Sequence, residues 1–501
     1  MNNENNQKIS HIFNLPSLNF KNQMNIAIDS NAHIKTIINV QAYLYDTEID
    51  AVLGKCNIKG KIGVKLLYLD VDNVYNTISD STSFMESVSS ADIVSDCKIF
   101  MTNEQVLTDV SFDDKYLKLN FNVNAKLFSN IDLSLNLANT NQEGLIQKKS
   151  SIEANSCLQT INNKNSQNCE IVLKKPISKI LSTSITPCVE SIECFDGYIT
   201  ISGNSQIQII YETTGDNPEL KLNNESCKFK FETQASLCET NCLANLELKL
   251  DNSKTNFTTE LNEENTKLNL EYEINILGCV YKNLTIEYVE DIYSTQNELE
   301  TNFSNREVCK ISPLISYKSN IEGEIQLADD ANADEIIETV NHSCLLTQVS
   351  CENNKIVLEG VVSTSLIYLN EQKEIKSVLL ELPFSIAKEM QIEENCNLLN
   401  FNLVPTNCKA KLKRGNLLAV DYEMFAQGYI SSKNSTNMLD NIKLGKQFDY
   451  GDVAFQIIIA KENEDTWNFC KRCHISSQEL IEFNKDLPPI FQGGEKVVIY
   501  R

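Results

Sequence analysis

Ile58-Lys59-Gly60-Lys61-Ile62-Gly63-Val64-Lys65-Leu66-Leu67-Tyr68 is the stretch that decides how this chain folds. Ile58, Ile62, Val64, Leu66 and Tyr68 share one face, and Gly60 falls in phase with them. Alternation with a period of two over this length predicts a long β-strand with one buried face. A missing side chain on that face marks a bulge or a close approach of another backbone. The pattern returns as Ile199, Ile201, Gly203, Ile207, Ile209 and Tyr211, and again as Ile356, Leu358, Gly360, Val362, Leu366 and Tyr368. Each glycine follows an isoleucine (Ile37, Ile180, Ile337) by 23 residues and precedes its tyrosine by 8. Three copies with identical internal distances predict a tandem array.

The 501 residues exceed what one core organises, and the glycines recur at offsets of 143 and 157 residues, the size of ordinary domains. The spacing places repeats over 15–150, 165–300 and 318–432, a linker over 433–451 and a separate tail over 452–501. Each repeat opens on a short apolar turn (Ile34 to Ile38, Ile177 to Leu181, Ile336 to Val340) and continues into the long strand. It then reaches an apolar anchor, Phe84, Phe231 or Phe384, the second displaced by the longer loop through Gly215, Asp216, Asn217 and Pro218. A further alternating strand closes each repeat: Leu117 to Leu127, Leu268 to Leu277 and Leu417 to Ala426. Connections too short for helical crossovers predict antiparallel pairing and a mainly β chain. Asn162 to Gln167 and Ser431 to Asn441, rich in Asn and Ser, read as linkers, and Asp329 to Glu335 as a solvated acidic connector.

The formal charge is -24, from 44 basic and 68 acidic side chains. Binding a phosphate backbone needs clustered Lys and Arg, so the charge argues against nucleic acid as a partner. It argues equally against an anionic bilayer. Met1 to Ser10 is polar, without the apolar core of a secretory signal, and no run reaches the roughly 20 apolar residues of a membrane span. The expectation is a cytosolic chain. Seventeen cysteines, an odd number scattered through a long sequence, then read as small buried hydrophobes rather than a disulfide framework. Cys194 and Cys351 each precede their repeat glycine by nine residues, and Ala51 holds that place in the first copy.

Beyond Ala454 the period changes. Phe455, Ile457 and Ile459 alternate as a strand; Glu464 and Asp465 lead a helical pattern through Trp467, Phe469 and Cys470. Ser476 and Glu479 form a capping box for a second helix, Gln478 to Phe483, with Leu480, Ile481 and Phe483 on its apolar face. Pro488 and Pro489 end it, and Val497 to Tyr500 form a closing strand.

This β-α-α-β order resembles the LysM domain. Asn463 to Trp467 looks like that family's Gly-Asp-Thr-Leu-Trp turn, Asn484 matches the asparagine ending its second helix, and Gly493, Gly494 and Val497 to Ile499 match its final strand. Asn463 replaces the turn glycine and Tyr500 the final proline. The three upstream repeats resemble the SPOCS domain through Gly60 to Tyr68, Gly203 to Tyr211 and Gly360 to Tyr368, with Leu382, Pro383 and Phe384 similar to its Pro-Phe anchor. The resemblance implies three β-rich SPOCS-like domains and one βααβ LysM domain, an arrangement similar to clostridial spore-envelope morphogenetic proteins. It further implies a scaffold in the mother-cell cytosol at the forespore surface. Its partners would be the spore coat-basement ATPase, bound through the LysM domain, and other spore-envelope proteins. LysM by itself implies a different function, a cell-wall protein binding the N-acetylglucosamine of peptidoglycan.

Cys470-Lys471-Arg472-Cys473-His474 fits the haem-attachment pattern and offers three zinc ligands. Without export, and with His342 the nearest other histidine in sequence, packing of both cysteines in the tail core is the expectation. The four histidines, His11, His33, His342 and His474, sit in no recognisable catalytic setting, and no nucleophile elbow or phosphate loop is present. Glu462, Glu464 and Asp465 read as solvated acids. The expectation is no enzyme, no cofactor and no metal. Trp467, the single tryptophan, is expected to join Phe455 and Lys471 in one apolar, basic-rimmed face that binds the partner.

Overall fold

The computed structural model describes residues 6–27, 34–95, 97–112, 116–136, 140, 142–215, 218–261, 265–328, 331–391, 396–449, 455–484 and 487–500. Asp216 and Asn217 of the long loop, Asp329 and Asp330 of the acidic connector, and His33 lie outside them. The chain is mainly β. The first unit comprises β1 (Asn6–Ala27), β2 (Ile34–Val52), β3 (Lys55–Asp70), β4 (Tyr75–Ser89), β5 (Lys98–Phe112) and β6 (Tyr116–Asn136). The second comprises β7 (Leu145–Leu173), β8 (Ile177–Phe195), β9 (Tyr198–Thr213), β10 (Leu220–Gln234), β11 (Cys242–Leu250), β12 (Asn256–Leu261) and β13 (Thr266–Ser294). The third comprises β14 (Asn297–Ile311), β15 (Ile315–Gln326), β16 (Ala333–Glu352), β17 (Lys355–Asn370), β18 (Ile375–Glu389), β19 (Cys396–Lys413) and β20 (Leu417–Gln447).

Each unit is two antiparallel sheets packed face to face. One is a meander centred on the glycine-marked strand: β2-β3-β4, β8-β9-β10 and β16-β17-β18. The other centres on the unit's last strand, which pairs with its first: β6 with β1, β13 with β7, β20 with β14 and β15. The alternating residues of the two central strands make the core. Ile58, Ile62, Val64, Leu66 and Tyr68 meet Leu117, Leu119, Phe121, Val123, Ala125 and Leu127 in the first unit. The same arrangement recurs in the second and third units. At ~25 cal/mol per Å² of apolar surface, these stripes are the main stabilising term.

The repeat glycines mark close approaches. Gly203 and Gly360 lie beside bulges in β8 and β16, and a Cβ there would stand 2.1 Å from the carbonyl oxygens of Cys188 and Leu345. A phenylalanine pairs with each glycine across the next strand: Phe84, Phe229 and Phe384. The second anchor is therefore Phe229, not Phe231, because the β9–β10 loop adds two residues rather than four to the spacing.

Three further expectations change. The apolar openers at Ile34, Ile177 and Ile336 are not turns but the bulged starts of β2, β8 and β16. Asn162 to Gln167 and Ser431 to Asn441 are not linkers: they lie inside β7 and β20, as does 433–447 of the expected 433–451 linker. Their Asn and Ser side chains edge long ribbons whose backbones are satisfied by β13 and β14. Strand pairing thus shifts the first unit towards the amino terminus, as Asn6–Asn136, and widens the second and third, as Leu145–Ser294 and Asn297–Gln447. Finally, Cys169 of β7 and Cys227 of β10 are joined in a disulfide, Cα–Cα 6.3 Å, where free thiols were expected; both pack at the second core.

The units close around a shared centre. Leu67, Ile210 and Ile367, each the residue before its repeat tyrosine, point away from their own sandwiches and pack together with Ile38, Leu181, Val340, Tyr75 and Leu220. Near their tyrosines the glycine-marked strands are therefore buried on both faces. Gln41 ties this centre together: its Nε2 donates to Asn341 Oδ1 at 3.0 Å, and its Oε1 accepts from Ser182 Oγ at 3.1 Å. The ribbons meet in a second cluster, with Ile12 and Phe128, Cys279 and Tyr281, and Ile311, Leu399 and Tyr429 contributed by successive units.

Candidate partner-docking surface

The tail follows as β21 (Phe455–Ile459), α1 (Thr466–Cys473), α2 (Ser477–Phe483) and β22 (Lys496–Tyr500), with β21 and β22 antiparallel. Asn463 takes φ 59°, a left-handed conformation that Asn tolerates better than most residues. Asp465 caps α1, accepting from the Asn468 amide at 2.7 Å. His474 ends α1 at φ 53°. Ser476 and Glu479 complete both halves of the capping box on α2. Asn484 then clamps β22, donating to Val498 O and accepting from Val498 N, each at 2.8 Å.

Phe469, Cys470, Cys473, Ile475, Leu480, Phe491, Val497 and Ile499 form the tail core, and Tyr293 of β13 completes it. Cys470 and Cys473 are core side chains, and burial, with the Cys473 charge adding to it, pushes the Cys470 thiol up to about 11. His474 Nδ1 lies 3.2 Å from Ser294 O. Among the described residues no group of three or more His, Cys, Asp or Glu is arranged to hold a metal ion. Glu464 is engaged by Arg472 through two 2.7 Å bonds, which hold its carboxyl below the usual range. His342 is half-buried, and desolvation of its ring brings it to about 4, with Nδ1 3.0 Å from Thr364 Oγ1. His11 is lowered, chiefly by burial, and faces Glu307 at 3.8 Å.

Trp467 and Lys471, one turn apart on α1, converge on Asp291 of β13. The indole Nε1 donates to Asp291 Oδ2 at 2.8 Å and Lys471 Nζ to Oδ1 at 2.5 Å. The Tyr293 ring meets the indole edge-on at 5.1 Å, and its hydroxyl donates to Ile475 O at 2.8 Å. Burial alone would raise the Asp291 carboxyl; the Lys471 and Trp467 hydrogen bonds outweigh it and hold it below the ordinary value. These two residues seat the tail on the second unit's ribbon.

Phe455 is not with them. It stands on the outward face of β21 beside Ile457 and Ile459, and the three are 57%, 58% and 61% exposed. Tyr500 pairs with Phe455 across the sheet, and the Phe483 ring lies tilted against Tyr500, centroids 4.4 Å apart. Only Leu480 of the apolar face expected on α2 is buried; Ile481 and Phe483 are exposed. The single face expected from Phe455, Trp467 and Lys471 is therefore two: an internal seat on Asp291 and an outward apolar stripe. The sequence carries one sign of the second, the unbroken run Ile457-Ile458-Ile459, which supplies apolar residues to both faces of one strand.

Comparisons with protein-family models, with curated proteins and with solved structures find no match. No helix among the described residues is long and apolar enough to cross a membrane.

Proposed function

We propose that this chain is a non-catalytic scaffold of spore-envelope assembly. Its three SPOCS-like units, packed on shared apolar clusters, carry other envelope proteins, and its LysM-like tail holds the coat-basement ATPase at the forespore surface. One observation carries the docking role. The outward stripe of Phe455, Ile457, Ile459 and Tyr500 is a run of exposed large apolar side chains on a chain of charge -24, and such patches mark binding sites. Trp467 and Lys471 serve that role indirectly, by fixing the tail so that the stripe faces outward.

The test is affinity capture from sporulating cells with the full chain and with Ile457→Glu. Recovery of one dominant ATPase by the first and its loss with the second is the expected result. Equal recovery by both removes the stripe from the interface. Sedimentation with purified peptidoglycan, and no ATPase, replaces the scaffold by a wall-binding protein.

A further inference from the structure

Cys157 and Cys279 are diagonal neighbours on the second ribbon, with Thr160 opposite Cys279. Cys157 pairs with Tyr281 and Gln159 with Val280, so Leu158 is the extra residue of a bulge. That kink brings the two sulfurs into hydrogen-bond contact. Lys98 reaches in from β5 of the first unit, its Nζ 3.5 Å from Cys157 Sγ, and Asp132 holds it at 3.6 Å. The Cys157 amide donates to Ser10 Oγ at 2.7 Å, and Ser10 donates to Asp132 at 3.2 Å. Cys157 is partly exposed; Cys279 is buried, with Asn130 Nδ2 at 3.8 Å.

The two thiols are unlike. The hydrogen bond from Cys279 lowers Cys157, against the opposing effect of burial and with help from the Lys98 charge. The same hydrogen bond, with burial, raises Cys279. Burial raises four other thiols, to about 12 at Cys188, Cys344 and Cys351 and about 11 at Cys408. A partly exposed thiol beside a cation, with a second thiol in contact, has the constitution of a reactive dithiol.

We infer that Cys157 and Cys279 are a thiol–disulfide exchange site for low-molecular-weight disulfides, with Cys157 attacking and Cys279 resolving. The Cys157 thiolate attacks one sulfur of the disulfide RSSR, forming a mixed disulfide and expelling RS⁻, which takes a proton from solvent. Cys279 then attacks Cys157 Sγ, and its proton leaves with the second RS⁻ as RSH. The small disulfide is reduced to two thiols, and the two protein thiols become one disulfide. Oxidation removes the sulfur anion facing Lys98, and with it a polar contact between the first and second units. Cys279 also lies in the cluster where all three units meet.

The experiment uses the full chain, oxidised glutathione and peptide mapping over a pH series. At pH 6.5 Cys157 should react at least ~10-fold faster than Cys408, the ratio expected when one thiol keeps a much larger thiolate fraction. The wild-type product should be a Cys157–Cys279 disulfide, and Cys279→Ser should stop at a glutathione adduct on Cys157. Lys98→Met should slow Cys157 by at least ~3-fold at that pH. Equal labelling of Cys157 and Cys408 in the wild type, or consumption of oxidised glutathione at the wild-type rate by Cys157→Ser, overturns the assignment.

Discussion

Trp467 donates its indole N–H to the Asp291 carboxylate at 2.8 Å, joining the tail to a strand 176 residues earlier. Because this is the single tryptophan of the chain, its fluorescence reports the seating directly. Asp291→Ala should shift the emission to the red and weaken tail docking by about 1.5–3 kcal/mol, the range for a hydrogen bond to a charged group. An unshifted spectrum contradicts the seating.

The repeat glycines should not be equally sensitive. Gly203→Ala and Gly360→Ala drive a Cβ to 2.1 Å from a backbone carbonyl, whereas at Gly60 the nearest atoms are the Phe84 ring and the Thr47 methyl at 3.0 Å. The first two should each cost about 3 kcal/mol by forcing strands apart, and Gly60→Ala about 1 kcal/mol. Urea unfolding orders them; a larger loss at Gly60 would be the wrong order.

Ile367 tests the closed arrangement. It lies on the face of β17 opposite the sandwich core and is 0% exposed. Ile367→Ala should destabilise by about 2–4 kcal/mol, as a core cavity does. Units strung out in solution would leave Ile367 on the surface, and the same change would be nearly neutral in thermal unfolding.

Glu247 makes stability depend on pH. Lys249 Nζ donates to Met101 O at 2.7 Å and to Glu104, and lies 3.9 Å from Glu247. One cation thus sits between two carboxylates at the junction of the first and second units. Burial raises Glu247 from 4.5 to about 7, with Lys249 opposing and Glu104 assisting. A folded value above the unfolded one contributes stability that is complete below 4.5 and is lost as pH rises through about 7. The unfolding midpoint should fall between pH 5 and pH 8, and Glu247→Gln should flatten that dependence and stabilise at pH 8 by on the order of 1–2 kcal/mol. An unchanged pH slope in the variant excludes Glu247 as its source.

Composition and period carry the strands but not their limits. Polar runs such as Asn162 to Gln167 have no stripe to announce a strand, and only the partner β13, paired with Leu145 to Leu173 apart from two bulges, makes them one. Phe229 and Phe231 are equivalent candidates until register assigns one of them to Gly203. The tail's elements and caps are legible, since Ser476, Glu479 and Asp465 act within a few residues of themselves. Its surface is not, because Phe455 and Trp467 separate only when β13 supplies Asp291 and Tyr293.

By itself the sequence determined three alternating strands with a glycine and a tyrosine in register, because a period of two with one apolar face is a local property of the chain. The tertiary structure alone decided that these strands also bury the tyrosine end of their second face, through Leu67, Ile210 and Ile367. It also decided which thiols meet and which face of the tail remains in water. Those outcomes depend on contacts between residues 58 or more positions apart, and no local pattern encodes them.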